Sequence, residues 1–387
     1  FFGFQPDFTI FKDLREITED FRIQETVEIT TISGFENLRI VGGDFVIDDL
    51  RELKTISGFA NLRILGGDFY IGTNDLLTKI SGFGNLRILG GNFDITNNGK
   101  LTTISGFANL LSVAGNFIIS INAELKTISG FGNLLSVSII QITNNALLKT
   151  ISGFGNLLSV NGDFDIYTNG KLTTISGFGN LLSVAGSFQI GNNALLTTIS
   201  GFANLLSVAG FFYIGTNASL TTISGFANLL SVGKFFYITN NGKLTKISGF
   251  ANLLSVGNSA TDPEDGYFSI TANGGMAKKN KNDVVTTVTG FGKLTPLTGI
   301  KGTLTLKGAP GLLLGIAASI RTNLSGATGG LKDIAYVYPA PALDPALASQ
   351  AYTKPAGITR RLVPNNLLNS VTYKTVYNTK YIKMNIQ

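Results

Sequence analysis

Three aspartates at equivalent positions of a repeated unit are the residues whose type and spacing could support catalysis. Asp44 and Asp68 lie one repeat apart, and Asp163 occupies the same position further along the chain. Paired carboxylates are what the cleavage of a glycosidic bond requires. The same position elsewhere holds amides, serine and phenylalanine, which is typical of a tolerant surface position: Asn92, Asn116, Ser187, Phe211 and Phe235. We therefore predict that the chain is not an enzyme, and a polysaccharide-active β-helix enzyme is the least favoured hypothesis.

One acidic segment could bind a metal ion. Asp262, Glu264 and Asp265 lie together in the sequence Asp-Pro-Glu-Asp-Gly and offer carboxylate oxygens to Ca²⁺. Ca²⁺ requires more oxygen ligands than these three side chains supply, so an exposed acidic turn is the preferred interpretation. The chain contains no cysteine and no histidine, which excludes thiolate and imidazole ligands and nucleophiles. We expect no cofactor.

Two sequons for N-glycosylation occur, Asn217-Ala218-Ser219 and Asn323-Leu324-Ser325. Asn217 belongs to a column of repeated asparagines that we interpret as structural. Asn323 is therefore the candidate acceptor. The basic run at 278–281 lacks interleaved aromatic residues, so we predict no nucleic-acid partner. No apolar run is long enough to span a membrane.

The element that positions all of these residues is a short repeat. Ile-Ser-Gly-Phe occurs ten times between Ile32 and Phe250, almost always 24 residues after the previous copy. A fixed period of this length is the signature of a solenoid, in which each unit buries its apolar face against the next one. Short apolar clusters alternate with glycine and asparagine, and no helical periodicity occurs. The sequence predicts an all-β fold, a parallel β-helix (solenoid) of about twelve 24-residue coils.

Identical residues recur at each coil and must stack into columns. Two phenylalanine columns, which include Phe107 and Phe117, are predicted to form the core. Two asparagine columns, which include Asn109 and Asn122, are predicted to bond to backbone and to each other at the turns. The repeated glycine of Ser-Gly-Phe is predicted to need a positive φ or to lack room for a Cβ.

The repeat also predicts the domain organisation. Residues 1–13 form an N-terminal segment or cap, residues 14–312 the solenoid, and residues 313–387 a small β-rich C-terminal assembly module. Two loops, 258–267 and 274–285, are inserted into the solenoid. One interval, from Ile128 to Ile151, is a residue short, which predicts a tightened turn near Ser138.

The recurring pieces Gly-Phe-x-Asn-Leu and Phe-x-Ile-x-x-Asn occur together and in order over residues 14–312. In this pattern the chain resembles the receptor L-domain type of leucine-rich-repeat-related solenoid. The resemblance implies right-handed parallel β-coils and an extracellular or cell-surface location. It implies no catalytic residues.

Charge is distributed unevenly between the two ends of the chain. Residues 1–76 carry 14 acidic and seven basic residues, whereas residues 276–387 carry three acidic and 14 basic residues. Opposite charges favour association between the ends of neighbouring molecules. We therefore expect an extracellular structural protein that binds itself, head to tail, in a filament or surface lattice. The alternative is a cell-surface adhesion or carbohydrate-binding module that uses the loops at 258–285 to bind glycans.

Overall fold

The computed structural model describes residues 7–25 and 28–257, together with six strands of the remaining chain. These strands are Phe268–Asn273, Thr287–Val288, Leu304–Gly308, Asp333–Pro339, Lys374–Val376 and Thr379–Asn385. The chain divides into two compact units, Phe1–Leu195 and Leu196–Gln387. The predicted loops 258–267 and 274–285 lie outside the described residues.

The first unit is a parallel β-solenoid with three strands in each coil, and each strand type stacks into its own sheet. Sheet 1 contains the two-residue strands Glu16–Ile17, Ile40–Val41, Ile64–Leu65, Ile88–Leu89, Ser112–Val113, Ser136–Val137, Ser159–Val160 and Ser183–Val184. Sheet 2 contains the four-residue strands Phe21–Gln24, Phe45–Asp48, Phe69–Gly72, Phe93–Thr96, Phe117–Ser120, Ile140–Thr143, Phe164–Tyr167 and Phe188–Gly191. Sheet 3 contains Thr31–Ile32, Thr55–Ile56, Lys79–Ile80, Thr103–Ile104, Thr127–Ile128, Thr150–Ile151 and Thr174–Ile175.

The second unit has the same three strand types. Its sheet 1 strands are Ser207–Val208, Ser231–Val232 and Ser255–Val256, and its sheet 3 strands are Thr198–Ile199, Thr222–Ile223, Lys246–Ile247 and Thr287–Val288. Its sheet 2 strands are Phe212–Gly215, Phe236–Thr239, Phe268–Asn273, Leu304–Gly308, Asp333–Pro339, Thr379–Asn385 and Lys374–Val376, in order across the sheet. The last two strands pair antiparallel to each other. The all-β parallel solenoid is thus confirmed.

Strands pair in register with their copies one coil away, so each residue type lies beside itself. Phe93 pairs with Phe117, and Ile95 with Ile119. At the short interval Phe117 pairs with Ile140 instead of a phenylalanine, and the turn between Val137 and Ile140 has lost one residue. The predicted tightened turn is confirmed. The in-register pairing survives the deletion because the turn absorbs it.

The phenylalanine columns form the core of each coil. Phe83 and Phe107 stack with their ring centroids 5.5 Å apart and an interplanar angle of 6°. Phe93 of the second column meets Phe107 edge to face at 5.0 Å and 88°. Both arrangements are favourable for aromatic quadrupoles. The predicted core is confirmed, since these rings have no solvent exposure.

The column that contains Asn122 forms a buried ladder. Its first-unit members are Asn74, Asn98, Asn122, Asn145, Asn169 and Asn193. Each Oδ1 accepts the backbone N–H of the residue one coil earlier, as Asn122 does from Asn98 at 3.1 Å. Each Nδ2 donates to backbone carbonyls of its own and a neighbouring coil, as Asn98 does to Thr96 and Ile71 at 2.9 Å. The predicted asparagine ladder is confirmed.

The glycine of each Ser-Gly-Phe motif has a positive φ, for example 87° at Gly153. A Cβ at Gly153 would lie 2.8 Å from the backbone nitrogen of Gly130 in the preceding coil. Both parts of the glycine prediction are therefore confirmed. Close approach of neighbouring turns explains why this position carries no side chain.

A second left-handed position immediately precedes each ladder asparagine, or the equivalent residue in the first two coils, and it does not carry glycine. Its occupants are Glu25, Asp49, Thr73, Asn97, Ile121, Asn144, Thr168, Asn192, Thr216 and Asn240. Asparagine tolerates this conformation, whereas β-branched residues are strained in it. Ile121, at φ 57°, is therefore strained, and its side chain is also 52% exposed.

We expect Ile121→Asn to raise the free energy of unfolding by about 1 kcal/mol, because it relieves this strain and removes an exposed apolar group. The matched control is Asn144→Ile, at φ 57° one coil later, which should cost a similar amount. Urea unfolding followed by circular dichroism measures both changes. Equal stability of the two variants would show that the position is not strained.

Candidate functional site

The column that contains Asp44, Asp68 and Asp163 has a structural role. The backbone N–H of Asp68 donates to Oδ1 of Asp44 at 2.9 Å, and that of Asn92 donates to Oδ1 of Asp68 at 2.6 Å. Ser187 N–H donates to Asp163 in the same way, also at 2.6 Å. These side chains join one coil to the next, which the interpretation as a tolerant surface position had missed. The structure brings no acid and base together across a cleft here.

The other predicted site residues cannot be placed. Asp262, Glu264, Asp265 and Asn323 lie outside the described residues, so the Ca²⁺ and glycosylation hypotheses stay predictions. Within the described part of the chain, no group of three metal-ligating acidic side chains occurs. In that same part, no helix is long and apolar enough to cross a membrane.

The terminal strand of sheet 2 in the first unit is Phe21–Gln24, which pairs on one side with Phe45–Asp48. Exposed acidic residues precede it in the chain, with Glu16 in the terminal strand of sheet 1 and Glu19 in the bend before Phe21. Arg22 makes ion pairs with Asp20 at 2.8 Å and with Asp44 at 2.5 Å. The hydrogen bond from the Asp44 backbone, followed by that from Arg22, lowers the pKa of Asp20, so Asp20 keeps its negative charge to a lower pH than a free aspartate.

A short cap covers the core beside this edge. The 3₁₀ turn Phe8–Phe11 begins after Asp7, whose side chain accepts the Thr9 N–H at 2.9 Å. Phe8 and Phe11 each lie with their ring centroids 5.6 Å from that of Phe35, the first ring of its column. The cap protects the phenylalanine core, whereas the backbone edge of Phe21–Gln24 has no partner strand among the described residues.

The terminal strand of sheet 2 in the second unit is Lys374–Val376, paired antiparallel with Thr379–Asn385. These two strands contain Lys374, Lys380 and Lys383 and no acidic residue. The sheet thus ends on basic strands in this unit. The acidic and basic ends of the sequence each coincide with a terminal strand of sheet 2.

The outer face of sheet 2 carries a second cluster of functional interest in the first unit. The first and third residues of each strand point into the core, and the second and fourth form the outer face. On this face Gln141, Asp165 and Gln189 lie in one row, and Thr143 and Tyr167 lie in the adjacent row. Together with the neighbouring turn residues they line a groove of about 270 Å³. Sequence analysis missed this groove because its residues differ from coil to coil.

The tyrosine of this groove lies flat across the sheet. A Cβ added to Gly191, the residue that pairs with Tyr167, would lie 2.2 Å from Cε2 of the tyrosine ring. Tyr70 covers Gly72 of its own strand, since a Cβ on Gly72 would lie 2.2 Å from the tyrosine hydroxyl. Glycine at these positions makes room for the ring, which in turn covers the exposed backbone.

Carboxylates next to these rings are incompletely satisfied. Oδ1 atoms of Asp48, Asp94 and Asp165 are shielded from solvent and have no hydrogen-bond partner in the described part of the chain. Burial, with a smaller contribution from Asp68, raises the pKa of Asp94 to about 6. Burial, with a smaller contribution from Asp163, raises the pKa of Asp165 to about 6. At neutral pH both groups are charged in an environment that does not fully solvate them.

Asp94 and Asp165 should therefore destabilise the fold at neutral pH. The pKa values of both carboxyl groups are about 6 in the folded protein and 3.8 for an ordinary aspartate. Below pH 3.8 both groups are protonated, and this neutral form is the one that the folded protein favours. The contribution of the protonated carboxyl groups to the stability of the fold is lost as the pH rises through about 6. We expect Asp94→Asn and Asp165→Asn each to raise the free energy of unfolding at neutral pH by about 1 kcal/mol, allowing for solvent screening.

Urea unfolding at neutral pH and near the ordinary carboxyl pKa measures this effect. The increase in the free energy of unfolding should shrink toward zero at the lower pH, where the aspartate side chain of the wild type is already neutral. Asp75→Asn, at an exposed turn position, is the matched control and should change neither value. A loss of stability at neutral pH in both Asp94→Asn and Asp165→Asn would contradict the assignment of raised pKa values to these carboxyl groups.

The chain matches no protein-family model and no curated protein. Among solved structures, a leucine-rich repeat protein from Eubacterium ventriosum is 18% identical, over 60% of this chain and 82% of that chain, with a TM-score of 0.17. The pneumococcal vaccine antigen PcpA is 11% identical, over 83% of this chain and 89% of that chain, with a TM-score of 0.19. Sequence identities and TM-scores this low carry no argument about function. The strand pairing alone establishes that the chain is a repetitive β-solenoid protein.

Proposed function

We propose that this protein is a non-enzymatic, extracellular structural protein that assembles head to tail with copies of itself. The observation that carries the proposal is the coincidence of charge and sheet edge. The acidic residues flank the terminal strand Phe21–Gln24, and the lysines lie in Lys374–Val376 and Thr379–Asn385. The extracellular location rests on the resemblance of the repeat to receptor L-domains.

A terminal strand presents backbone N–H and C=O groups that can pair with a strand of another molecule. Charged residues on such an edge discourage random pairing, but opposite charges on two different edges favour pairing between them. The two edges are different surfaces, so their contact is heterologous and can repeat without closing. The resulting assembly is an open filament or lattice.

Charge reversal tests this proposal. We expect the wild-type protein to sediment as polymers at low salt, and Glu16→Lys/Glu19→Lys to remain monomeric. Lys374→Glu/Lys380→Glu/Lys383→Glu should remain monomeric as well. The chain that carries all five substitutions should polymerise again, because both edges have exchanged sign. Analytical ultracentrifugation over a range of salt concentrations distinguishes these outcomes, since added salt screens the attraction.

Lys126→Glu/Lys149→Glu is the matched control, because both lysines are exposed on the solenoid away from the terminal strands. This variant should polymerise like the wild type. Polymers that form equally in all variants would show that charge at the two edges does not drive assembly. A wild-type protein that stays monomeric at low salt would overturn the proposal.

A further inference from the structure

We propose that the groove formed by Gln141, Thr143, Asp165, Tyr167 and Gln189 on the outer face of sheet 2 binds a saccharide. The site differs from the predicted loops at 258–285 and from the terminal strands of the assembly. It consists of described residues of the first unit alone.

The aromatic ring supplies the first element of saccharide recognition. Tyr167 is half-buried and lies across Gly191, so its ring is fixed against the sheet with one face covered by backbone. A sugar ring presents an apolar face of C–H groups, which packs on the open face of an aromatic ring of this kind. A ring held in place by the sheet loses little conformational entropy when it binds.

Polar groups beside the ring supply the second element. Oδ1 of Asp165 has no hydrogen-bond partner in the described part of the chain, and Gln189 hydrogen-bonds to the same carboxyl group. A sugar hydroxyl in the groove would hydrogen-bond to the carboxyl and amide groups that line it. Gln141 lies on the other side of Asp165 in the same row. Amides beside a carboxylate provide both donors and acceptors for neighbouring hydroxyls.

Charge restricts the class of saccharide. Asp163 is close enough to Asp165 to affect its titration, so the groove has a negative potential. A uronic-acid or sulfated chain would be repelled. A neutral polysaccharide is the preferred ligand.

The neighbourhood of Tyr70 also combines a tyrosine over a glycine with nearby carboxylates, although here the glycine lies on the tyrosine's own strand. Its ring lies against Gly72. Burial, with smaller contributions from the charges of Asp48 and Asp94, raises the pKa of the Tyr70 hydroxyl. Both carboxylates have an Oδ1 without a partner in the described residues. The recurrence of a flat tyrosine beside an unsatisfied carboxylate suits a repeating polymer as ligand.

Affinity electrophoresis in gels that contain dextran, galactomannan, chitosan or polygalacturonate tests the proposal. We expect retardation by at least one of the two neutral polysaccharides and none by polygalacturonate. Asp165→Asn and Tyr167→Ala should each weaken binding about tenfold, by loss of the charged acceptor and of the stacking surface. Tyr167→Phe should retain binding, and Asp75→Asn is the control for the loss of an acidic residue elsewhere.

The stability of the same variants separates binding from misfolding. Asp165→Asn should bind more weakly while its melting temperature rises, because the unsatisfied charge is removed. If Asp165 had only a structural role, its replacement would not weaken binding and raise the melting temperature at the same time. No retardation by either neutral polysaccharide, or equal retardation of wild type, Asp165→Asn and Tyr167→Ala, would overturn the inference. Binding by chitosan alone would also overturn it, since charge attraction would then suffice.

Discussion

Replacement of Asn122 by alanine should destabilise the solenoid by about 3 kcal/mol or more. The side chain is fully buried, its Oδ1 accepts the Asn98 N–H at 3.1 Å, and its Nδ2 donates to the carbonyls of Ile95 and Ser120 at 2.9 and 3.0 Å. Alanine leaves these backbone groups buried without partners, and each such group costs about 1–3 kcal/mol. The ladder also transmits the loss, because neighbouring asparagines are bonded to each other.

The matched control is Asn133→Ala in the other asparagine column. Asn133 is exposed and makes one hydrogen bond, from Nδ2 to the carbonyl of Ala108 at 2.8 Å. Water can replace that bond, so we expect a loss of about 1 kcal/mol or less. Urea unfolding followed by circular dichroism compares the two variants. Similar losses in both would show that the buried ladder contributes no more than a surface turn.

Removal of the Phe131 ring should cost about 3–5 kcal/mol, the range for phenylalanine in a core. The ring stacks between Phe107 and Phe154, each with a centroid 5.4 Å away, and meets Phe117 edge to face at 4.8 Å. Phe131→Ala would leave a cavity that its own coil shares with the coils on both sides. Because each coil is stabilised only by its neighbours, this cavity should also split the unfolding transition in two.

Leu135→Ala is the control for Phe131→Ala, since Leu135 lies in the same coil but is 43% exposed. We expect a loss of about 1 kcal/mol or less and a single unfolding transition, because little apolar area returns to water. Differential scanning calorimetry detects both the loss and the splitting. A single, slightly shifted transition for Phe131→Ala would contradict the idea that the aromatic columns couple the coils.

Much of the fold could be predicted because each structural role fell on one residue type. Phe107 and Asn122 have identical or similar counterparts in almost every coil, so their columns were visible in the sequence. The deletion near Ser138 was equally visible as a change of period. Parallel pairing at a fixed period then defined which residues become neighbours.

The features that were missed have roles that several residue types can fill. The left-handed position that holds Thr73, Ile121 and Asn144 is set by the turn that precedes the ladder asparagine. The Asp44 column appeared tolerant because carboxylate, amide and hydroxyl groups can all occupy that turn. The groove around Asp165 depends on neighbours in three different coils, and it emerged only when the register placed Tyr167 beside Gly191.

Repeated positions and variable positions differ in what they indicate about function. The repeated columns are accounted for by core packing, turning and strand pairing, so they cannot distinguish this protein from any other β-solenoid. Function must be carried by positions where the repeat varies. The terminal strands and the outer face of sheet 2 are such positions among the described residues.

Cryo-electron microscopy of the full chain at low salt tests the central claim most directly. Head-to-tail assembly predicts filaments in which strands stack along the filament axis, with a repeat of about 4.8 Å in that direction. The filaments should dissolve as salt is added and should be absent when one edge alone carries reversed charge. Isolated single particles at every protein concentration, with both termini intact, would contradict the account.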